Sequence, residues 1–231
     1  MLGTLISMAE RGTLTDALIR IGIRRLNQKR LNFAKNTSAD KLEELHQEWV
    51  DELNSSPIAL VPEKANEQHY EVPPEFFVEV LGSHLKYSSG YWPNGTHSLD
   101  ASEAAMLEKT FERAELKDGM NILELGCGWG SLTCFMAKRL PNARITAVSN
   151  SNDQRKFIQQ RCSEHNLNNV EVITADMNDF NTVKTFDRVV SIEMFEHMRN
   201  YRELLKRIST YLNDDGKLFI HIFSHQTLAY P

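Results

Sequence analysis

Within five residues, Glu193-Met-Phe-Glu-His197 sets two carboxylates and an imidazole close together in the chain. Side chains at this spacing converge if the backbone breaks into a turn, and once converged they can do two things. Paired carboxylates stabilise a positive charge brought near them, and a histidine accepts a proton near neutrality. The plainer alternative is that Glu196 and His197 only cap a helix beginning near Arg199. Upstream, Asn121-Ile-Leu-Glu-Leu-Gly-Cys-Gly-Trp-Gly130 runs a short apolar segment into glycines at alternate positions. Glycines there permit a tight turn and close approach of the backbone to a ligand, and a helix N-terminus follows. A small ligand with a ribose or similar polar group is expected above Gly126, Gly128 and Gly130.

Both constellations need a scaffold, and the pattern after Asp100 supplies one. Strands are predicted at about 121–125, 144–148, 170–174, 186–192 and 217–223. Helices between them cover about 130–139, 152–165 and 199–212, with Pro141 and Gly216 marking two of the ends. Such alternation implies an α/β fold, a Rossmann-like parallel sheet wound by helices on both faces. Ligands bind beyond the carboxyl ends of strands in sheets of this kind. A helix before the first strand carries Ala104, Leu107, Phe111 and Ala114 inward, with Asp100 and Glu103 as a capping box.

The first third is helical and differently composed. Leu14, Leu18, Ile21 and Leu26 fall roughly on one face among Arg20, Arg24, Arg25, Lys29 and Arg30. A surface helix packing this stripe on the domain explains it, and a basic membrane-touching helix is the rival. A second helix runs from about Asp40 to Leu53 with Leu42, Leu45, Trp49 and Leu53 on one side. Residues 54–68 read as loop, and Pro74 opens a short helix with Phe76, Phe77, Val80 and Leu81. Phe76, Phe77, Tyr91 and Trp92 serve either as an aromatic wall for a substrate or as packing for this segment.

Composition excludes several classes. The 231-residue chain is 41% hydrophobic with net charge -5, which disfavours nucleic acid as a partner. Cys127, Cys134 and Cys162 make no CxxC pair and read as reduced thiols of a cytoplasmic protein, with no metal cluster. No apolar run is long enough to span a bilayer, and the first thirty residues lack the apolar core of a secretory signal.

The glycine spacing decides between ligands. A dinucleotide site calls for G-x-G-x-x-G and a carboxylate at the end of the second strand. This chain has G-x-G-x-G and ends that strand in Val148-Ser149-Asn150. Its acidic groups are instead Glu124, before the glycines, and Asp176, after the third strand. That arrangement is similar to the one in S-adenosylmethionine-dependent methyltransferases. The alternative, that the glycines only make a turn, leaves Asp176 unexplained.

The chain resembles the coclaurine N-methyltransferase-like branch of the cyclopropane-fatty-acid-synthase superfamily. The resemblance rests on Gly12-Thr-Leu-Thr-Asp-Ala-Leu-Ile-Arg20, His69-Tyr-Glu-Val-Pro-Pro-Glu-Phe-Phe77 and Leu85-Lys-Tyr-Ser-Ser-Gly-Tyr-Trp92. It continues through Glu124–Gly130, Ala147-Val-Ser-Asn-Ser151 and Ile192-Glu-Met-Phe-Glu-His-Met198, nearly the whole chain. It implies S-adenosyl-L-methionine as cofactor, with Tyr87, Ser88, Gly126 and Gly128 at its methionine part. Asn150 and Gln154 would hold the ribose, Asp176 and Met177 the adenine, and Ile192 would line the site. Ser89 stands where relatives usually have cysteine, which weakens any role for a thiol there.

By the same resemblance, Glu193, Glu196 and His197 bind and deprotonate a small-molecule amine, Glu196 and His197 handling the proton. His221, in an apolar strand, is a core residue or a second-rank site residue, because cyclopropane synthases carry a histidine there. Residues 1–99 would form a helical cap contributing to the cofactor site and 100–231 the Rossmann-like core. Relatives extend past Pro231 with further strands and a lid, so a fragment or a shortened form is expected, with self-association through an exposed sheet edge. Methylene transfer to unsaturated lipids and non-catalytic cofactor binding are the two alternative functions.

Overall fold

Apolar β-branched segments alternating with amphipathic helices build the sheet that the pattern after Asp100 implies. The computed structural model describes residues 2–60 and 73–224, so the motif that starts at His69 lies partly outside the described residues. Two compact units divide the chain, one running through Glu52 and the other spanning Leu53–Phe223.

The first unit holds α1 (Leu2–Glu10), α2 (Asp16–Asn36) and most of α3 (Ala39–Ser55). Ser38 Oγ accepts from Lys41 N at 3.3 Å at the start of α3. No residue of α3 is fully buried. The expected stripe on α2 is not buried either: Leu18, Ile21 and Leu26 are 55%, 47% and 49% exposed.

In the second unit α4 (Pro74–Val80) and α5 (Leu99–Arg113) precede β1 (Asn121–Leu125). There follow α6 (Ser131–Arg139), β2 (Arg144–Ser149), α7 (Asn152–Glu164), β3 (Val170–Thr174) and β4 (Phe186–Ile192). A single 3-10 turn (Phe195–His197), α8 (Tyr201–Ser209) and β5 (Leu212–His221) complete the described elements. The five strands pair in parallel in the order β3-β2-β1-β4-β5. Because the winding reverses between β1 and β4, their carboxyl ends flank the crevice where such sheets bind ligands.

Strand alternation sorts the core into layers. Leu123, Leu125 and Val189 pack with Leu204, Ile208 and Tyr211 on one face. Ile122 and Val190 pack with Leu107, Leu132 and Met136 on the other. These layers bury most of the large apolar side chains of the unit, the dominant favourable contribution to such a fold.

Two local readings are corrected. Asp100 and Glu103 do not form a capping box: α5 is capped by Ser98, whose hydroxyl accepts from Ala101 N at 3.2 Å. The two carboxylates instead hold the chain before them, Asp100 accepting from Ser83 N (2.6 Å) and Glu103 from Gly82 N (2.8 Å) and His84 N (3.1 Å). The last strand starts at Leu212 rather than near 217, with Gly216 inside it beside a register shift against β4.

Candidate active site

The glycine turn, the Asp176 turn and the Glu193–His197 turn lie at the carboxyl ends of β1, β3 and β4, whereas segment 85–88 precedes β1. Gly126 N and Cys127 N donate to Val148 O at 3.0 Å, Ala175 N donates to Ser149 O at 2.9 Å, and Ser191 Oγ donates to Leu125 O at 3.0 Å. The ends of β1 to β4 are thereby laced into one rim.

The glycine turn opens this rim. Gly126 has φ +79°, and a Cβ there would stand 2.7 Å from Met194 Cβ and Cγ. Gly128, at φ +52°, has nothing within 4 Å of the position its Cβ would take, so it faces open space. At the carboxyl ends of β1 and β3 and the starts of α6 and α7, buried polar atoms have no partner among the described residues: Trp129 Nε1, Ser131 Oγ, Gln154 Nε2 and Thr174 Oγ1. Buried polar groups are rarely left this way, so the cluster calls for a polar ligand. These orphaned donors and the open face of Gly128 fit a nucleoside cofactor.

The nominated cofactor residues occupy this rim in different ways. Gln154 is buried at the start of α7, which Ser151 caps, and its Oε1 accepts from Ser149 Oγ at 2.6 Å. Asn150 is exposed beside it. Asp176 Oδ1 accepts from Asn178 N at 2.6 Å, which fixes the turn after β3, and Met177 is buried in the core. Tyr87 and Ser88 are exposed, and Ile192 is half-buried at the end of β4. Of the predicted aromatic group only Phe77 is buried; Phe76, Tyr91 and Trp92 are exposed. Phe77 packs instead on Trp129 of the glycine turn (ring centroids 5.1 Å apart) and edge-on to Tyr87 (5.4 Å).

At the end of β4 the chain breaks as the carboxylate motif requires. Glu193 is left-handed, φ +52°, a conformation that costs a residue with a Cβ about 1–2 kcal/mol. Its N–H donates to His221 O at 2.8 Å, anchoring it to β5. His221 Nε2 lies 3.5 Å from Glu193 Oε1, so the histidine ranked second from sequence belongs to the cluster. Glu196 sits in the 3-10 turn; burial, then its hydrogen bond with Glu193, pushes its carboxyl up to about 8. At neutrality the Glu196 carboxyl is therefore mostly protonated. His197 is exposed at the end of the turn. Phe195 stacks on Tyr201, whose hydroxyl donates to Phe195 O at 2.8 Å, so the turn is held from α8.

Two further buried groups stand out: Glu124, already marked in the sequence before the glycines, and Lys86, which sequence reasoning missed. Glu124 of β1 is buried and accepts from Thr133 Oγ1 of α6 at 2.6 Å; burial pushes its carboxyl up to about 8. Lys86 is only 6% exposed and donates to Ser88 Oγ at 2.5 Å. A lysine between buried Leu85 and aromatic Tyr87 was the available signal.

The parallel doubly wound sheet with a glycine turn at its switch point matches solved methyltransferase structures of the α/β class. The family model described as mycolic acid cyclopropane synthetase matches residues 61–229, and the chain belongs to that family. It is 40% identical over 227 residues to (S)-coclaurine N-methyltransferase of Thalictrum flavum subsp. glaucum, covering 98% of this chain and 63% of that relative. Among solved structures it is similar to coclaurine N-methyltransferase bound to N-methylheliamine and SAH, with TM-score 0.94 and 38% identity over 99% of this chain and 66% of that one. The cyclopropane synthase MmaA2 from Mycobacterium tuberculosis follows at TM-score 0.63 and 25% identity, covering 69% of this chain and 56% of that one. The chain thus spans under two thirds of the length of these proteins.

Proposed function

We propose that the chain serves an S-adenosylmethionine-dependent transfer of a methyl group to the amine nitrogen of a small molecule. The observation that carries this reading is the anionic turn Glu193–Glu196, joined by His221 and set beside the glycine turn across the β1–β4 crevice. The similarity to alkaloid N-methyltransferases supports it.

The cofactor supplies an electrophilic methyl group on a sulfonium. Tyr87, Ser88, Gly126 and Gly128 would hold its methionine part, Asn150 and Gln154 the ribose, and Asp176, Met177 and Ile192 the adenine side. Amines arrive largely as ammonium ions, which have no lone pair for attack. Glu193 and Glu196 attract that cation, and Glu196 accepts its proton once its own has left. With the Glu196 carboxyl at about 8, its basic form grows as pH rises toward and past that value. Methyl transfer is therefore expected to increase with pH through about 8 and to lose that limb in Glu196→Gln. His197 is a further proton acceptor in this reading. Alignment of nitrogen and methyl carbon supplies the rest of the acceleration.

A lipid reading has one observation in its favour: α2 combines exposed Leu18, Ile21 and Leu26 with Arg20, Arg24, Arg25, Lys29 and Arg30. Incubation with methyl-labelled cofactor separates the readings. Label in arylalkyl amines supports the proposal, label in unsaturated phospholipid supports methylene transfer, and calorimetric binding of S-adenosylhomocysteine without transfer leaves a cofactor-binding protein. The three unpaired cysteines favour a reducing compartment such as the cytoplasm. Among the described residues no helix is long and apolar enough to cross a membrane.

A further inference from the structure

We infer that Glu103, together with Asp100, is a positioning residue for the cofactor: these two carboxylates of α5 hold loop 82–84 and thereby set where Tyr87 and Ser88 stand. The inference rests on the cofactor roles proposed for Tyr87 and Ser88, and it deepens them by naming what aims the two side chains.

A buried carboxyl group is costly unless its oxygens are hydrogen-bonded. Glu103 is fully buried. Its Oε1 accepts from Gly82 N at 2.8 Å and its Oε2 from His84 N at 3.1 Å. Between them Ser83 N donates to Asp100 Oδ1 at 2.6 Å, and that bond draws the Asp100 carboxyl below its usual value. Three successive backbone N–H groups are therefore taken up by two side chains of one helical turn. The helix start has its own cap in Ser98, so both carboxylates are free for the loop. The approach is close: a Cβ on Gly82 would stand 2.8 Å from Glu103 Oε2.

The segment is fastened at other points as well. Arg161 of α7 donates through Nη2 to Ser83 O at 3.1 Å. Further along, Tyr91 N donates to Ser102 O at 3.0 Å, and a Cβ on Gly90 would lie 2.4 Å from Ser102 Oγ. Both ends of segment 82–91 are thus tied to the first turns of α5. Between the ties the segment forms neither helix nor strand, and Tyr87 and Ser88 are exposed. Leu85 leaves the clamp buried and left-handed, φ +52°, a conformation that persists where its surroundings over-determine it. An exposed pair on irregular backbone takes its place from its anchors. Glu103 accepts two of the three N–H groups at the nearer anchor.

The test is calorimetric binding of S-adenosylhomocysteine to Glu103→Gln, beside Ser98→Ala as the control for lost helix stability. Glutamine keeps the shape but sets an NH2 group against a backbone N–H, so one loop donor loses its acceptor. Affinity is expected to fall about tenfold in Glu103→Gln, the equivalent of one lost hydrogen bond of this kind. Ser98→Ala removes the cap of the same helix but leaves the loop bonds in place, and is expected to bind within about twofold of the unaltered chain. Unchanged affinity in Glu103→Gln overturns the inference, and so does an equal loss in both variants. Where methyl transfer is measurable, Glu103→Gln should raise the KM for the cofactor and leave the KM for the amine unmoved; a matching rise in both overturns the assignment. Should Glu103→Gln not fold, Asp100→Asn decides, because Asp100 is exposed and gives up a single bond. A loss of affinity of about threefold or more then supports the clamp, and no loss overturns it. Binding of S-adenosylhomocysteine without methyl transfer in the unaltered chain would sink the amine reading and leave this inference standing, whereas absence of binding would sink both.

Discussion

The ends of β1 and β4 face each other and both turn through left-handed backbone, yet one uses glycine and the other glutamate. At Gly126 the turn needs room, since a Cβ would run into Met194, the residue after Glu193. At Glu193 the turn needs the side chain, which meets His221 and Glu196, and the strain is tolerated. The difference teaches where the fold gives way to chemistry: backbone comfort is kept at the glycine turn and given up at the carboxylate proposed to meet the amine.

Glu193→Gly tests that contrast most directly. It is expected to lower methyl transfer by about 100-fold or more, because the anionic pair is lost. The same variant should keep or raise unfolding stability, by up to about 1 kcal/mol, because the left-handed strain is relieved. Lower stability in denaturant unfolding would break the comparison. On the other side, Gly126→Ala is expected to cost about 2 kcal/mol or more, from the left-handed backbone and the clash with Met194 together. A neutral result would mean that the two turns do not constrain each other.

Thr133→Val sharpens the comparison underneath the glycine turn. It leaves Glu124 buried without its hydrogen bond and is expected to cost about 1–3 kcal/mol. The pH sign follows from the raised carboxyl: in the folded chain Glu124 holds its proton up to about 8, whereas an unfolded carboxyl releases it near 4.5. The contribution of the protonated group is fully present below about 4.5 and is lost as pH rises toward 8. Unfolding stability across that window should fall with pH, and in Thr133→Val the fall should continue to higher pH, since the lost hydrogen bond was one that lowered the carboxyl. The smallest effect is expected at α2, where Leu26→Ser at a half-exposed position should change stability by less than about 0.5 kcal/mol.

Much of the scaffold was legible because its signals are local. Apolar runs bounded by turn residues located β1 to β4 within a residue or so, and the glycine spacing located the turn after β1. Reading failed where groups close in space are far apart in the chain. Asp100 and Glu103 have the spacing of a cap, but loop N–H groups from 82–84 claim both carboxylates, leaving Ser98 to cap the helix. Phe76 and Trp92 have the composition of a core yet stay exposed, while Phe77 packs on Trp129 as well as on Phe76 and Tyr87.

Sequence alone determined the order of strands and helices, the glycine turn and the presence of two carboxylates and a histidine after the fourth strand, since each is written in adjacent residues. Only the tertiary structure decided that His221 meets Glu193, that Lys86 is buried, and that Gly128 rather than Gly126 looks onto open space. Those outcomes depend on which strand ends lie side by side, and the parallel pairing of β1 with β4 and β4 with β5 sets that through long-range contacts that no local pattern encodes.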